Sequence, residues 1–375
     1  MRVLHLHSSF NAGGKELRAA RLMNAFGAGV THHILSAETD AYGATSAIAK
    51  GIDFAIPGDF PSLQGKPLPG RLQKIAQAMR VYDLVLTYNW GAMDGVMAHT
   101  LFRDLYRLPP VVHHEDGFNE DEANGLKTKR NWFRRVALAR TSALVVPSKS
   151  LQAIALDAWQ QPRSRVRLVS NGIDIAAYRK KPKPDALPRI VKRPGEKWVG
   201  TLAGLRAVKN LPRLVRAFAG LPEPWQLVIL GEGPERDAIR AEAQRLDIAH
   251  RVHLPGFVPD PSKAVGLFDL FALSSDSEQF PISVVEAMAA GLAVASPQVG
   301  DVAEMVSGEN QPFITPAGDE TALAASLEAL AADENLRRRI GDANRAHAEA
   351  HYDEKAMIAA YRAIYGTAMR RATFP

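Results

Sequence analysis

Asp276-Ser277-Glu278-Gln279-Phe280-Pro281-Ile282-Ser283-Val284-Val285-Glu286-Ala287-Met288 is the stretch from which the fold can be read. It follows an apolar run, Leu267 to Leu273, of the kind that forms a buried parallel strand. Pro281 suits the first position of a helix, where its missing N–H costs nothing. Glu278 then falls in the turn before the helix, and Glu286 about one and a half turns inside it. Between them, the amides of Phe280, Ile282 and Ser283 sit at a helix start, which attracts anions through unpaired N–H groups and the dipole. Two carboxylates flanking such a start suit a ligand carrying both hydroxyls and phosphates, as a nucleotide sugar does. Without further context the same pair reads equally as ordinary helix-start and surface charges.

The longer stretch from Glu278, E-Q-F-P-I-S-V-V-E-A-M-A-A-G-L-A-V, supplies that context. It resembles the signature of the retaining family-4 glycosyltransferases of GT-B fold, usually E-G-F-P, a second glutamate and E-A-x-A-x-G. Gln279 stands where the family commonly has glycine. The resemblance implies an α/β chain of two Rossmann-like, doubly wound domains facing a central cleft. It implies that Glu286 binds ribose hydroxyls and that Glu278 binds the transferred sugar and opposes positive charge developing on it.

Composition agrees with an ordinary soluble protein. The chain has 375 residues, 46% hydrophobic and 23% charged, so two domains are expected. It has no cysteine, which excludes disulfides and thiolate metal sites. The N-terminus starts directly as a strand, without the apolar core of a signal peptide, and no run approaches the roughly 18 apolar residues of a membrane span. A cytoplasmic location is the expectation. Net charge +6 and a pI near 9.4 suit anionic lipid or an acidic substrate. No nucleic-acid motif accompanies them, and nucleic acid is not expected as a partner.

In the first half, Val3–Leu6 reads as a strand, followed by a glycine loop with Gly13 and Gly14 and then a helix. Such a βα unit brings backbone close to phosphate. Its Gly-Gly also resembles the family's donor-diphosphate loop, a role carried to Gly14 with Gly13 as support. Apolar runs recur at His33–Leu35, Asp83–Thr87, Pro110–His113, Ala143–Pro147 and Val166–Val169. Alternation of strands and helices predicts a doubly wound parallel sheet with ligands beyond the strands' carboxyl ends. At one such end stands His113-His114-Glu115-Asp116. The family often has a histidine there, and by register its position is Asp116 here, so Asp116 and His114 are candidates for an acid, base or sugar-binding role. Their other reading is a strand cap and a loop turn.

Residues 124–140 carry Lys127, Lys129, Arg130, Arg134, Arg135 and Arg140 with no acid, interleaved with Trp132, Phe133, Val136 and Leu138. A basic amphipathic helix of this kind suits an anionic membrane or, more plainly, a solvated face over a half-buried stripe. Asn171-Gly172-Ile173-Asp174 reads as a turn leading to the linker. Proline and charge concentrate in residues 178–193, which places a domain boundary near Pro188 and a second domain over 189–353. The resemblance implies that 354–375 forms a helix crossing back onto the domain of residues 1–188.

In the second half, Trp198–Ala203, Gln226–Leu230, Val252–Leu254, Ala293–Ala295 and Phe313–Thr315 join Leu267–Leu273 as strands. Gly200 to Asn210 resembles the family's G-R-L-x-x-x-K stretch, in which an arginine and a lysine hold the diphosphate. The lysine is Lys209, whereas the arginine position is Gly204, and Arg206 lies two residues on. Gly231-Glu232-Gly233-Pro234 reads as a structural turn. Val252 to Val258 resembles the family's stretch whose backbone meets the nucleotide base, which makes Phe257 and Val258 donor-binding candidates. The implied activity is retaining hexosyl transfer from a nucleotide-diphosphate sugar to a hydroxyl acceptor, of a cell-envelope glycan or lipid-linked kind. No cofactor is expected, and the lack of a D-x-D motif predicts metal independence. A nucleotide-sugar epimerase of the same fold and an inactive partner subunit are the alternatives.

Overall fold

The computed structural model describes residues 1–118, 122 and 125–375. The chain forms two compact units: Met1–Asn171 with Ala356–Pro375, and Gly172–Lys355.

The first unit holds a seven-stranded parallel sheet in the order β3-β2-β1-β4-β5-β6-β7. Its strands are β1 (Arg2–His7), β2 (Thr31–Ser36), β3 (Asp53–Ala55), β4 (Leu84–Tyr88), β5 (Val111–His114), β6 (Ala143–Val146) and β7 (Val166–Leu168). Helices α1 (Gly14–Phe26), α2 (Pro69–Met79), α3 (Met93–Tyr106), α4 (Thr128–Ala137) and α5 (Lys149–Asp157) lie between them. Successive side chains of a strand point to opposite faces. Leu4 and Leu6 accordingly join the core under α2 and α3, while Val3 joins the core under α1. His5 and His7 share Val3's face and are buried there.

The second unit holds six parallel strands in the order β10-β9-β8-β11-β12-β13. They are β8 (Lys197–Leu202), β9 (Trp225–Leu230), β10 (Val252–Gly256), β11 (Leu270–Ala272), β12 (Val294–Pro297) and β13 (Ile314–Thr315). Its helices are α6 (Leu211–Phe218), α7 (Arg236–Arg245), α8 (Ile282–Ala289), α9 (Val302–Met305), α10 (Glu320–Ala332) and α11 (Glu334–His351). Trp198 and Phe271 pack on one face of this sheet, and Val199, Leu227 and Leu270 on the other. Both faces being covered explains why the strands read as near-continuous apolar runs. A last helix, α12 (Glu354–Ala368), places Met357, Tyr361 and Tyr365 in the first unit's core.

Four expectations change. The run Leu267–Leu273 is a strand only over Leu270–Ala272, because Val265–Leu267 closes a 3-10 turn before it. Pro281 is the residue that caps α8 rather than its first helical residue; its ψ of 106° is extended. β3 was not expected: all three of its residues are exposed at the sheet edge, so no apolar run announces it. The boundary falls between Asn171 and Gly172 rather than near Pro188. The proline- and charge-rich segment is not a free linker, since Ile175, Tyr178 and Leu187 are buried in the second unit's core.

Candidate functional site

In the second unit, the loop after β8 and the loop after β11 meet. Gly231, just after β9, backs the β8 loop: its φ is +148°, and a Cβ there would lie 1.9 Å from the Ala203 carbonyl oxygen. The G-x-G-P turn therefore packs backbone to backbone under the β8 loop, and its role is structural. Val208 O accepts from Asp276 N at 2.9 Å, stitching the two loops together. Asn210 Nδ2 donates to Asp276 Oδ2 at 3.1 Å, and Arg213 pairs with Asp276 at 2.7 Å.

This stitching brings Lys209 to Glu278. Lys209 Nζ donates to Glu278 Oε1 at 2.5 Å, and Ser275 Oγ donates to the same oxygen at 2.7 Å. Both charged side chains keep a little solvent contact, 15% for the lysine and 12% for the glutamate. Gly300, with φ +54°, closes the far side: a Cβ there would sit 2.6 Å from the carbonyl oxygens of Glu278 and Gln279.

Beyond Glu278 the chain enters α8, whose Val284 and Val285 are buried and whose Ser283 and Glu286 are half-buried. Phe280 and Ile282 pack against the core, Phe280 edge-on to Tyr352 at 5.6 Å between centroids. Tyr178 donates to Glu286 Oε1 at 3.0 Å, which fixes the second glutamate. Phe257 is 57% exposed just past β10, and Val258 is half-buried against the core.

Arg206 behaves differently from Lys209. It is exposed and forms no ion pair among the described residues. A Cβ at Gly204 would lie 3.6 Å from its Nε, so the guanidinium folds back over the position that carries arginine in the family pattern.

The first unit's strand ends are built otherwise. Gly13 caps α1 and Gly14 is its first residue; a Cβ on Gly13 would stand 2.7 Å from Glu16 Oε2. Lys15 pairs with Glu16, and burial brings the Lys15 pKa down to about 8. One turn further, Arg18 is buried and clasps Asp116 through both guanidinium nitrogens, with Nη2 to Oδ2 at 2.8 Å. Arg18 Nη1 also donates to Asn171 Oδ1 at 2.7 Å, and Asn89 Oδ1 accepts from the Asp116 amide at 2.8 Å. Burial alone would raise the Asp116 carboxyl, but the Arg18 charge holds it below the usual carboxylate range. Asp116 is therefore an ionised partner of Arg18 and not an available acid.

His114 is corrected outright. It is 1% exposed, its Nδ1 lies 3.1 Å from the Thr87 carbonyl and its Nε2 2.9 Å from the Tyr365 hydroxyl. A carbonyl only accepts, so Nδ1 carries the proton and Nε2 accepts from the tyrosine. Burial, then the Arg18 charge, push its pKa down to about 3. The ring is a neutral core histidine with no free nitrogen.

The basic stretch 124–140 is corrected in part. Asn124 lies outside the described residues, and the helix runs from Thr128 to Ala137. Arg134 is fully buried: it pairs with Glu122 at 3.1 Å, and Trp90, Phe118 and Trp159 stand 4.9, 5.2 and 5.1 Å from its guanidinium carbon. Arg130 also pairs with Glu122, and Arg140 with Asp104. The exposed residues of α4 are Thr128, Lys129, Trp132 and Arg135.

Sequence reading missed Arg18, Tyr178 and Ser275. Ser275 stands beside the quoted stretch and Arg18 one turn into the helix after the glycine loop, so nearness was a usable signal for both. Tyr178 had none, since it reaches Glu286 across 108 residues. Among the described residues no group of three or more His, Asp or Glu side chains is placed to hold a metal.

Residues 12–177 match the family model described as Glycosyltransferase Family 4, and residues 183–347 the one described as Glycosyl transferases group 1. The chain is 26% identical over 212 residues to N-acetyl-alpha-D-glucosaminyl L-malate synthase of Bacillus anthracis, spanning only 56% of that protein and 56% of itself. It is 28% identical over 325 residues to D-inositol 3-phosphate glycosyltransferase of Nocardia farcinica, covering 78% of this chain and 70% of that one. Among solved structures, Anabaena HepE in complex with UDP and glucose matches 98% of this chain and 100% of its own, with a TM-score of 0.80 at 20% identity. That likeness concerns the fold. With one model matched in each half and the fold matched along nearly the whole length, the chain belongs to the family-4 glycosyltransferases of GT-B fold.

Proposed function

We propose that the protein transfers a hexosyl group, with retention, from a nucleotide-diphosphate sugar to a hydroxyl acceptor. The observation that carries this reading is the meeting of Lys209, Glu278 and Ser275 just before the start of α8. Breaking the anomeric C–O bond leaves negative charge on the diphosphate and positive charge on the sugar. An ammonium has three donors, so Lys209 can hold Glu278 with one and a departing phosphate oxygen with another. Arg206 and the amides at the α8 start add to that stabilisation, a preorganised electrostatic effect. Glu278 binds hydroxyls of the transferred sugar and opposes the oxocarbenium charge. Glu286, fixed by Tyr178, takes the ribose hydroxyls. A donor phosphate oxygen helps to take the acceptor proton, and no metal is needed.

The complexes of HepE with UDP and with UDP-glucose support starting with uridine nucleotides. The experiment is calorimetry with a nucleoside diphosphate panel, then hydrolysis and transfer from the matching sugar donor, with and without a chelator. Losing a charge-assisted contact costs roughly 1.5–3 kcal/mol, so Glu278→Gln is expected to lower turnover about ten- to a hundredfold with nucleotide binding retained. A parent protein that binds no member of the panel removes the reading. One that binds donor without hydrolysing or transferring it supports an inactive partner subunit instead.

The acceptor is proposed to be lipid-linked or part of a cell-envelope glycan, with the exposed side of α4 meeting an anionic membrane. Lys129 and Arg135 flank the exposed Trp132 there, an arrangement suited to a charged interface. Replacing both by Gln is expected to reduce sedimentation with anionic vesicles, and added salt to do the same. Equal partition to neutral and anionic vesicles leaves α4 as a solvated face.

A further inference from the structure

β10 is the edge strand of the second sheet, and along its outer side lies a cavity of about 350 Å³. That volume is in the range of small-molecule sites. The floor is apolar, with Ala243 on α7, Val252 and Leu254 on β10, and Ile190 opposite them. Arg189 and Arg240 also line it, and no carboxylate does. Arg189 forms no ion pair among the described residues, and its φ of +65° is a left-handed backbone that a non-glycine residue adopts at a cost. Arg240 has one acidic neighbour, Asp237, at 3.7 Å, and that aspartate is 94% exposed. An exposed pair of this kind is weak and exchanges readily for a better anion.

An edge strand can also recruit another strand, but this one is poorly suited to it. Pro255 offers no N–H, and Arg236 Nη2 already donates to the Leu254 carbonyl at 2.8 Å. The register of β10 on β9 also breaks between His253 and Gly256. A compact ligand fits these facts better than a peptide strand. We propose that this cavity is a second ligand site, separate from Lys209 and Glu278, that takes a small organic phosphate: an apolar body on the Val252–Leu254 floor and the phosphate between Arg189 and Arg240.

Phenyl phosphate is the probe, with phenol and inorganic phosphate as its two halves, titrated calorimetrically into the full chain. Phenyl phosphate is expected to bind with a Kd of about 1 mM or below, more tightly than either half. The double variant Arg189→Gln/Arg240→Gln removes two exposed side chains and leaves the core intact. It is expected to lose roughly tenfold or more in phenyl phosphate affinity while melting as the parent does. Lys209→Gln separates this site from the donor site and is expected to leave phenyl phosphate binding unchanged. The proposal is overturned by any of three results: no binding up to about 10 mM, equal binding by the double variant, or a loss produced by Lys209→Gln alone.

Discussion

The two units put polar residues at the ends of similar parallel sheets, yet they differ in how deep that polarity goes. Among the described residues, eleven His, Asp, Glu or Arg side chains are buried in the first unit and three in the second. Below Asp116 the first unit continues inward through His114, His5, His7 and His32 to a layer shared with Tyr88, Tyr361 and Tyr365. Below Glu278 the second unit places Ser274 and Ser275 and then the apolar Leu273, Val284 and Val285. A fully buried charge or polar ring must be matched by fixed partners. Arg18 and Asp116 are accordingly held as a pair with the arginine 4% exposed, whereas in the second unit's pair Lys209 keeps 15%. Sequence position at a strand end does not separate these two cases.

The largest expected effect of this difference is on acid stability. Burial holds His5 and His7 well below the ordinary histidine value, His32 and His99 near about 4 and His114 near about 3. All five lie in the first unit. Unfolded, each takes up a proton near pH 6.5, and folded it does not until far lower. Their contribution is therefore complete above pH 6.5 and is lost as pH falls towards the folded values. Each such histidine costs the folded state on the order of 1 kcal/mol per pH unit below 6.5. Hydrogen exchange followed by peptide should show the first unit losing protection near pH 5 before the second does. Simultaneous loss in both units would refute the contrast.

Next in size is Arg134→Ala, which leaves Glu115 buried without its guanidinium and Glu122 with Arg130 alone. Removing one partner of a buried ion pair costs about 3–5 kcal/mol. The matching change in the second unit, Lys209→Ala, breaks a pair at the solvent rim and is expected to cost about 1 kcal/mol or less. Urea midpoints of the two variants measure the difference directly. If they fall equally far, Arg134 is not the anchor that its burial indicates.

A smaller effect is expected for the residue that reaches Glu286 from a distance. Glu286→Ala should weaken nucleotide binding by roughly 1.5–3 kcal/mol per lost partner. Tyr178→Phe removes one neutral donor and should weaken it by about 1 kcal/mol, with little change in the turnover of bound donor. Calorimetry on both variants gives the ranking, and a Tyr178→Phe protein that binds like the parent makes the hydroxyl a packing detail.

The second cation proposed for the diphosphate is either Arg206 or Lys15. Arg206 is exposed and unpaired among the described residues, whereas Lys15 is partly buried with its pKa lowered to about 8. Arg206→Ala is expected to slow transfer about ten- to a hundredfold without altering the melt. Lys15 would act only while protonated, so its involvement would appear as turnover falling when pH rises through about 8. A near-parental Arg206→Ala together with that pH profile moves the role to the first unit.

Much of this protein was determined locally. The alternation of apolar runs and helical stretches gave a doubly wound α/β reading because parallel strands buried on both faces need nothing beyond their own composition to be seen. Pro281 marked the start of α8 to within one residue, Glu278 and Glu286 were singled out by their places around that start, and Lys209 by resemblance to the family's stretch. Gly231 was read as structural, and its backbone contact with Ala203 supplies the reason.

Other features were decided only by the folded chain. His114 was offered by its place after β5, but Tyr365, 251 residues away, closes its second nitrogen. Asp116 is occupied by Arg18 across 98 residues, and Glu286 is held by Tyr178 across 108. Arg134 looked like one member of a basic face, because helical spacing places a side chain on a stripe without saying what lies against it. Three aromatic rings and Glu122 do lie against it. The boundary at Gly172 is of the same kind: proline and charge describe a segment's own flexibility, while Ile175, Tyr178 and Leu187 belong to the second unit because its core receives them. Local pattern determines which element a residue occupies. Whether its charge is free or already matched depends on neighbours that only the tertiary fold brings near.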